Sequence, residues 1–483
     1  VILVIDVGTT GLRAAIVRPD ATVASVEQRP FSPGSPFPGM VEFDATELVT
    51  LVLDAANAVL DAAGNPAVDG VGIANQRAST IVWERATGRP IGPAIGWQDL
   101  RTVGECLAAR AEHGLTLAPN QSATKVAWLL ANHASGRDQA ELCFGTVDSW
   151  LAWSLSGGEL HVTDPTNAAV TGLYSITVRG WHPGVCELLG IDAAMLPTIV
   201  DTSEVVGTAS ALPGAPPITA LVGDQQASLI GQGCIHPGQA KITFGTGGML
   251  DVCTGAEPPT AADRSPNGTF PIVAWAESGR TTWGVEAIML SAGSNVEWLR
   301  DDLGLIETAA DSHDVAARCT TSDGVVYVPA LLGLGTPHWD YGARGTLLGV
   351  TRGTGREHVV RAVLEGVAHR GADMVEAAEA DTALEIPTLR IDGGMSQNPT
   401  FVQALANASG KPVEVSPIVE ATTVGAGFLA GVAAGIWPSL GDAVAGWSPR
   451  ELVEPTGRLD REIWANAVAR TRSWIPELSA LDF

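Results

Sequence analysis

The sequence predicts an α/β protein built as two similar halves closing on a cleft, and three observations carry that prediction. Strand-like runs alternate with helix-like ones along the chain, the pattern that layers helices on a sheet. A glycine- and threonine-rich turn between two apolar runs occurs twice, near residue 8 and again near residue 245. No low-complexity linker separates the copies, so the halves are expected to share a tight cleft. The boundary falls near residue 233, giving a first domain of residues 1–232 and a second of 233–483.

In chain order, residues 1–5 form a continuous aliphatic run, followed by Asp6, the turn Gly8-Thr-Thr-Gly11 and a second apolar stretch at 14–17, which reads as strand, tight turn, strand. A Walker P-loop is excluded, because it needs Gly-Lys-Ser/Thr opening a helix and this turn has neither the lysine nor a helical pattern after it. Helical patterns follow at 48–63 and 124–132, and strand-like runs at 70–74, 81–83 and 218–222. The second copy, residues 241–253, again places apolar residues on both sides of a Gly/Thr turn. Two such hairpins, with backbone amides and threonine hydroxyls at their tips, can grip one polyphosphate from both sides. Beyond them, 324–331 and 388–391 read as strands, 357–380 and 399–409 as helices, and the Ala/Gly-rich run 423–436 as a buried helix able to approach a sheet closely.

Composition narrows the function. With 483 residues, 46% hydrophobic and 17% charged, the chain can bury a large core and is not disordered. The 53 acidic against 28 basic residues, a net charge of -25, argue against a general binder of nucleic acid or anionic membrane, whose surfaces reward clustered Lys and Arg. Lysine occurs only at Lys125, Lys241 and Lys411, and any homo-oligomer must tolerate self-repulsion. The six cysteines form no CxxC pair, so they read as reduced, mostly buried thiols rather than a zinc or redox motif. The longest apolar stretch, 424–437, is shorter than the ~18 residues of a membrane span and is stopped by Pro438. The first apolar run lacks the basic region of a secretory signal, and a cytoplasmic protein is expected.

Several segments carry chemistry, each with a plainer alternative. Asp6 to Thr10 is either an ordinary hairpin turn or half of a phosphate grip whose carboxylate sits where Mg²⁺ needs a water-mediated contact. Asp224 follows a buried strand and opens a helix, so it is either an N-terminal cap or a base at the strand end where α/β sheets bind ligands. Asp392-Gly-Gly394 is either a strand-to-helix turn or a place where backbone approaches a flat ligand. Arg77, Trp97, Gln98, Asp99 and Arg101 are either solvated surface groups or a fork-shaped donor and aromatic platform for a polyol.

The ordered motifs Asp6-Val-Gly-Thr-Thr10, Asn75-Gln-Arg77, Trp97-Gln-Asp99 with Arg101-Thr102, Gly145-Thr-Val-Asp-Ser-Trp150, His161-Val-Thr-Asp164, Gly223-Asp-Gln-Gln226, Phe244-Gly-Thr-Gly-Gly248, Gly333-Leu-Gly335, Gly349-Val-Thr-Arg-Gly353 and Asp392-Gly-Gly394 make the chain resemble the FGGY carbohydrate kinases over nearly its whole length, and the glycerol kinases among them in particular. The resemblance implies the actin-like ATPase (ribonuclease H-like) fold, ATP with Mg²⁺, and transfer of a phosphoryl group to a hydroxyl of a small polyol or sugar. It implies Asp224 as catalytic base and Asp6 with Asp224 at the metal. Around the phosphates it implies Thr9, Thr10, Arg13, Gly245 and Thr246, and at the adenosine Gly293, Gly394 and Asn398.

Arg77, Trp97, Asp224 and Gln225 match the polyol-binding residues of glycerol kinases, but three positions depart: Ala78 replaces a Glu, Asn120 a Tyr and Met249 a Phe. A lost carboxylate removes a strong hydroxyl acceptor, and pockets that hydrogen-bond a hydroxyl discriminate by large factors. The expected substrate is therefore a larger polyol or open-chain sugar of four or five carbons, with glycerol next. The segment 209–217 has no Arg of the kind that helps bind fructose bisphosphate in some bacterial glycerol kinases, so that regulation is not expected. The rival class, a nucleotide-driven switch of the same fold, has no need of Arg77, Trp97 and Asp224-Gln225 together.

Overall fold

Both Gly/Thr hairpins belong to one 13-stranded sheet in a computed structural model that describes residues 1–261, 263–418 and 420–481. In the first half, Val23–Pro30, Gly11–Val17 and Ile2–Val7 run antiparallel in succession, and Gly70–Asn75 and Pro217–Gly223 continue in parallel. In the second half, Arg280–Met289, Gly248–Gly255 and Ala240–Phe244 are antiparallel, and Leu389–Asp392 and Val413–Val415 continue in parallel. The two orders are the same, so the duplication seen in the hairpins extends to the sheets that carry them. Ser203–Thr208 and Phe270–Glu277 join the halves through the pairing of Ser203 with Glu277.

The aliphatic first strand reads as a continuous apolar run because both of its faces are covered. Leu3, Ile5 and Val7 pack under the helix Ala45–Ala62, while Ile2 and Val4 face a second core. That helix starts three residues before its apolar periodicity, because Asp44 caps it by accepting from the backbone N–H groups of Thr46 and Glu47. The second core is shared between the halves. It contains Ala227 and Ile230 of the helix Asp224–Gly231 and Val424, Phe428 and Leu429 of the helix Ala421–Ala433, although the latter lies late in the chain. These helices touch backbone to backbone: a Cβ on Gly425 would lie 1.8 Å from the Ala227 carbonyl oxygen, and one on Gly231 2.0 Å from that of Ala421.

The helices Ala123–His133, Arg356–Thr382 and Pro399–Ser409 form where the sequence places them. Two strands differ. The run 324–331 yields only Val326–Val328, paired with Thr346–Leu348 outside the main sheet, because Pro329 has no N–H to extend a ladder. Ile81–Glu84 pairs with Leu142–Gly145, also outside the main sheet. All six cysteines are free thiols, and Cys319 alone of them is not buried. Among the described residues, no helix is long and apolar enough to cross a membrane.

Candidate active site

Asp6 lies at the tip of the first hairpin, paired in register with Arg13. Arg13 Nη1 donates to Asp6 Oδ2 at 3.2 Å and contacts Glu420 Oε2 at 2.8 Å, and Thr423 Oγ1 of the second half donates to the same Asp6 oxygen at 3.3 Å. Burial pushes the Asp6 carboxyl up to about 6 against the pull of Arg13, and the negative charge of Asp224 adds to the rise. Two carboxylates that repel each other and gain too little from one arginine suit a bound cation. Among the described residues, no three His, Cys, Asp or Glu side chains are grouped to hold a metal. A cation at Asp6 and Asp224 would thus complete its shell with water and ligand oxygens, as Mg²⁺ prefers.

Thr10 at the first turn and Gly245 and Thr246 at the second are exposed. The second turn is braced from behind, with Gly293 N donating to Gly245 O and Ala292 N to Thr246 O, each at 2.8 Å. Gly293 is required there, since a Cβ would sit 2.6 Å from Gly245 O. Gly393 turns with φ +84° directly behind Phe244, whereas a Cβ on Gly394 would meet nothing within 4 Å, leaving that face free for a flat group. Asn398 is occupied structurally: its Oδ1 caps the helix Pro399–Ser409 by accepting from Phe401 N at 3.1 Å, and its Nδ2 donates to Ser312 Oγ at 2.9 Å. One N–H of that amide remains for a ligand.

Asp224 is the first residue of its helix, where the N-terminal dipole favours a negative charge. Its side chain is 27% accessible, Oδ1 accepts from Gln225 N at 2.8 Å, and Arg77 Nε approaches Oδ1 to 3.7 Å. Burial raises its pKa, with the Arg77 charge the strongest opposing influence. Gly223 makes room, because a Cβ there would strike Arg77 Cδ at 2.7 Å. Behind this strand end lies a buried polar lattice: Thr166 Oγ1 accepts from Gly223 N and donates to Asp164, each at 2.8 Å, and Thr202 Oγ1 also donates to Asp164. Asp164, which ends the His161–Asp164 motif, therefore braces the strand that carries Asp224, and Asp148 of the Gly145–Trp150 motif accepts in turn from Thr163 Oγ1 at 2.6 Å.

The second half supplies the opposite wall. Along its central strands, Ile242, Phe244, Leu250, Val252, Val285 and Ala287 enter the apolar core, so Lys241, Thr243, Met249, Asp251 and Glu286 face the first half. Arg77 Nη2 donates to Glu286 Oε2 at 2.6 Å, and Lys241 Nζ donates to Gln225 Oε1 at 2.8 Å and Thr243 Oγ1 at 3.0 Å. Lys241, Asp251 and Glu286 are contributors that sequence reasoning missed. Their signal was polar residues alternating with apolar ones on those strands.

Trp97 is tied to the first hairpin: its Nε1 donates to Thr9 Oγ1 at 3.1 Å, while Lys125 Nζ donates to the carbonyls of Gly96 and Trp97 at 2.8 and 3.1 Å. Asp99 and Arg101 bond to each other instead of presenting free polar groups. Asp99 accepts from Arg101 Nε at 2.9 Å and from Val41 N, and Arg101 also reaches Glu42 at 2.7 Å. Gln98 is exposed. Ala78 is buried in the left-handed region at φ 60°, its carbonyl accepting from Ser122 Oγ at 3.0 Å. Asn120 sits on an exposed turn before the helix Ala123–His133, and Met249 is half-buried opposite Thr243.

A family model for the FGGY family of carbohydrate kinases, N-terminal domain, matches residues 1–231, and its C-terminal counterpart matches 240–434. The glycerol kinase of Aromatoleum aromaticum is 42% identical over 495 residues, spanning 98% of this chain and 99% of the relative. That of Deinococcus radiodurans is 42% identical over 494 residues, spanning 98% of each. The crystal structure of Plasmodium falciparum glycerol kinase with ADP aligns with a TM-score of 0.91 at 29% identity, covering 97% of this chain and 98% of that one. Rhodospirillum rubrum xylulose kinase, at 21% identity, shares the fold with a TM-score of 0.86 over 97% of each chain. With both halves matched, the chain belongs to the FGGY family of carbohydrate kinases, with their actin-like two-domain fold and ATP-dependent phosphorylation of a small polyol or sugar.

Proposed function

We propose that the enzyme moves the γ-phosphoryl group of ATP in line to a terminal hydroxyl of a polyol or open-chain sugar of four or five carbons, with Asp224 as base. The observation that carries this is the convergence on Asp224 of groups from both halves: Arg77 and Gln225 from one side, and Glu286 and Lys241, which hold those two, from the other. Phosphoryl transfer asks mainly for alignment and charge stabilisation. Asp224 orients the hydroxyl and accepts its proton late, and a carboxyl raised by burial is the better base near neutral pH. Thr9, Thr10, Arg13, Gly245 and Thr246 hold the phosphates, while Gly293, Gly394 and Asn398 line the adenosine. Arg77, Trp97 and Gln225 hold the acceptor, and Ala78, Asn120 and Met249 shape its pocket. Mg²⁺ held at Asp6 and Asp224 would neutralise phosphate charge during transfer.

Residues 1–232 then form the acceptor domain and 233–483 the nucleotide domain, their closure excluding water. Cytoplasmic residence belongs to the same reading, since ATP and six free thiols suit a reducing compartment. A second reading, glycerol as the substrate, is favoured by the names of the relatives that are 42% identical.

A coupled ADP-release assay over polyols and ketoses of three to five carbons tests the reading. The highest kcat/KM is expected on a four- or five-carbon compound. Glycerol leading by a wide margin overturns the size assignment, and ADP release that follows a protein instead of a polyol overturns the reaction. Asp224→Ala is expected to lower transfer by ~10²–10⁴ with nucleotide affinity within a few-fold, as for a lost general base.

A further inference from the structure

The wall facing Asp224 carries an ion pair whose place is not explained by folding alone. Lys241 and Asp251 are directly opposed in the second hairpin, both side chains are 0% exposed, and Lys241 Nζ lies 2.8 Å from Asp251 Oδ2. Among the described residues no aligned hydrogen bond reaches either Asp251 oxygen, so the contact is chiefly one of charge. Lys241 points its aligned N–H groups at Gln225 Oε1 and Thr243 Oγ1. Its charge therefore reaches the acceptor side through Gln225, the residue next to the base. Since Gln225 Oε1 accepts this hydrogen bond from Lys241, the amide turns its NH₂ away from the lysine.

Arg77, the other cation of this wall, is engaged by Glu286 at 2.6 Å and Asp224 at 3.7 Å. Among the described residues, the charges linked across this wall are thus Arg77 and Lys241 against Asp224, Glu286 and Asp251. Without Asp251 the two signs would balance and Lys241 would be a buried cation with no carboxylate opposite it. An unpaired buried charge attracts whatever anion can reach it.

Resting on the reaction proposed above, we infer that Asp251 is a positioning residue that sets substrate charge. By cancelling Lys241 behind Gln225, it leaves an uncharged amide facing the acceptor, so the enzyme takes neutral polyols and open-chain sugars and rejects the corresponding aldonates. Arg77 is already opposed by Glu286 and Lys241 by Asp251, so a carboxylate brought beside Asp224 would add like charge to a wall whose two cations are each paired, and like charge at close range in a site of low polarity is strongly unfavourable.

Matched pairs of equal chain length test this with the full chain and MgATP: glycerol and glycerate, erythritol and erythronate, xylitol and xylonate. For the best pair, the ratio of kcat/KM for polyol over acid is expected to be at least 100-fold. Asp251→Asn should lower that ratio at least tenfold by freeing the Lys241 charge. Lys241→Met should leave it unchanged or raise it, because a carboxylate is then left alone. A purely structural pair would move both variants in the same direction. The double variant Lys241→Met/Asp251→Leu, which buries an apolar pair instead, should return within threefold of the starting ratio and covers the case in which Asp251→Asn does not fold. An unchanged ratio in Asp251→Asn, a drop in Lys241→Met, a double variant that stays shifted, or a wild-type preference for the acid overturns the assignment to Asp251. ADP release with no member of any pair overturns the reaction on which it rests.

Discussion

The two hairpins are the same device put to different uses. Each joins two antiparallel strands of one sheet through a short Gly/Thr turn, but their charges lie at different depths. In the first, the charged pair is Asp6 with Arg13, one step from the turn. In the second, that place is held by Thr243 opposite Met249, and the ion pair, Lys241 with Asp251, lies one same-face step deeper, ~7 Å along the strand. On the proposed reading, charge at the tip would meet phosphate and metal, while charge set back meets Gln225 and, through it, the acceptor. The same scaffold thus carries its charged pair at two different depths, which is what the proposed division between donor and acceptor requires.

The largest expected effect sets the two tips against each other. Asp6→Asn removes the buried carboxylate on which Arg13 and Thr423 converge and is expected to lower kcat by ~10²–10³, the usual cost of losing one group that stabilises charge in transfer. Thr243→Ser, at the matching place in the second hairpin, keeps the hydroxyl that accepts from Lys241 and should stay within about threefold, as a substitution that preserves its hydrogen bond. Steady-state kinetics with saturating ATP and acceptor measures both. Comparable losses in the two variants would mean that the tips are not specialised.

Much of this arrangement was legible in the sequence, and what was not has identifiable causes. The hairpins were readable because apolar runs flank each Gly/Thr turn and both faces of their strands are buried. Lys241 and Asp251 lie within the second copy, residues 241–253, but their meeting depends on register, and a slip of one residue would send them to opposite faces. The run 423–436 reads as a buried helix, and the structure forms it at Ala421–Ala433, yet nothing local says that its glycines pack on Asp224–Gly231 in the other half. Asp99 and Arg101 looked available to a ligand because a sequence does not show that two charged neighbours satisfy each other. Asn398 has the same ambiguity, since capping its helix and lining a pocket draw on the same amide.

Titration of the first tip gives the second test. Burial raises Asp6 from 3.8 to about 6, so the folded protein holds this proton more tightly than the unfolded chain. The sign follows: the stabilisation from protonated Asp6 is complete below pH 3.8, fades as pH rises through about 6 and is absent above. The displacement corresponds to at most ~3 kcal/mol. Between pH 4 and 7, urea unfolding should show wild type losing stability relative to Asp6→Asn, and Thr243→Ser following wild type. Adding Mg²⁺ and ADP should shrink the difference, because a cation at Asp6 supplies what burial withholds. A wild type that gains stability relative to Asp6→Asn over this range would reverse the sign and remove the electrostatic account of the tip.

The smallest effect separates the turns by their support. The second turn is held from behind, so Gly293→Ala, whose Cβ would lie 2.6 Å from Gly245 O, must push the bracing loop away. The first turn is closed on itself by Gly8 N donating to Gly11 O at 2.9 Å, and a Cβ on Gly8 would lie 3.2 Å from that oxygen, a contact relieved by a few tenths of an ångström. Overpacking against fixed backbone costs ~1–3 kcal/mol, so Gly293→Ala is expected to fall in that range in urea unfolding and Gly8→Ala below it. The two should also differ in kind. Displacing the brace moves Gly245 and Thr246 together, so Gly293→Ala should weaken ADP binding measured by calorimetry, whereas relaxing Gly8 leaves the second hairpin where it was. If Gly8→Ala is the costlier change, the first turn is the rigid one, and the contrast between a braced second hairpin and a self-closed first one has to be drawn the other way round.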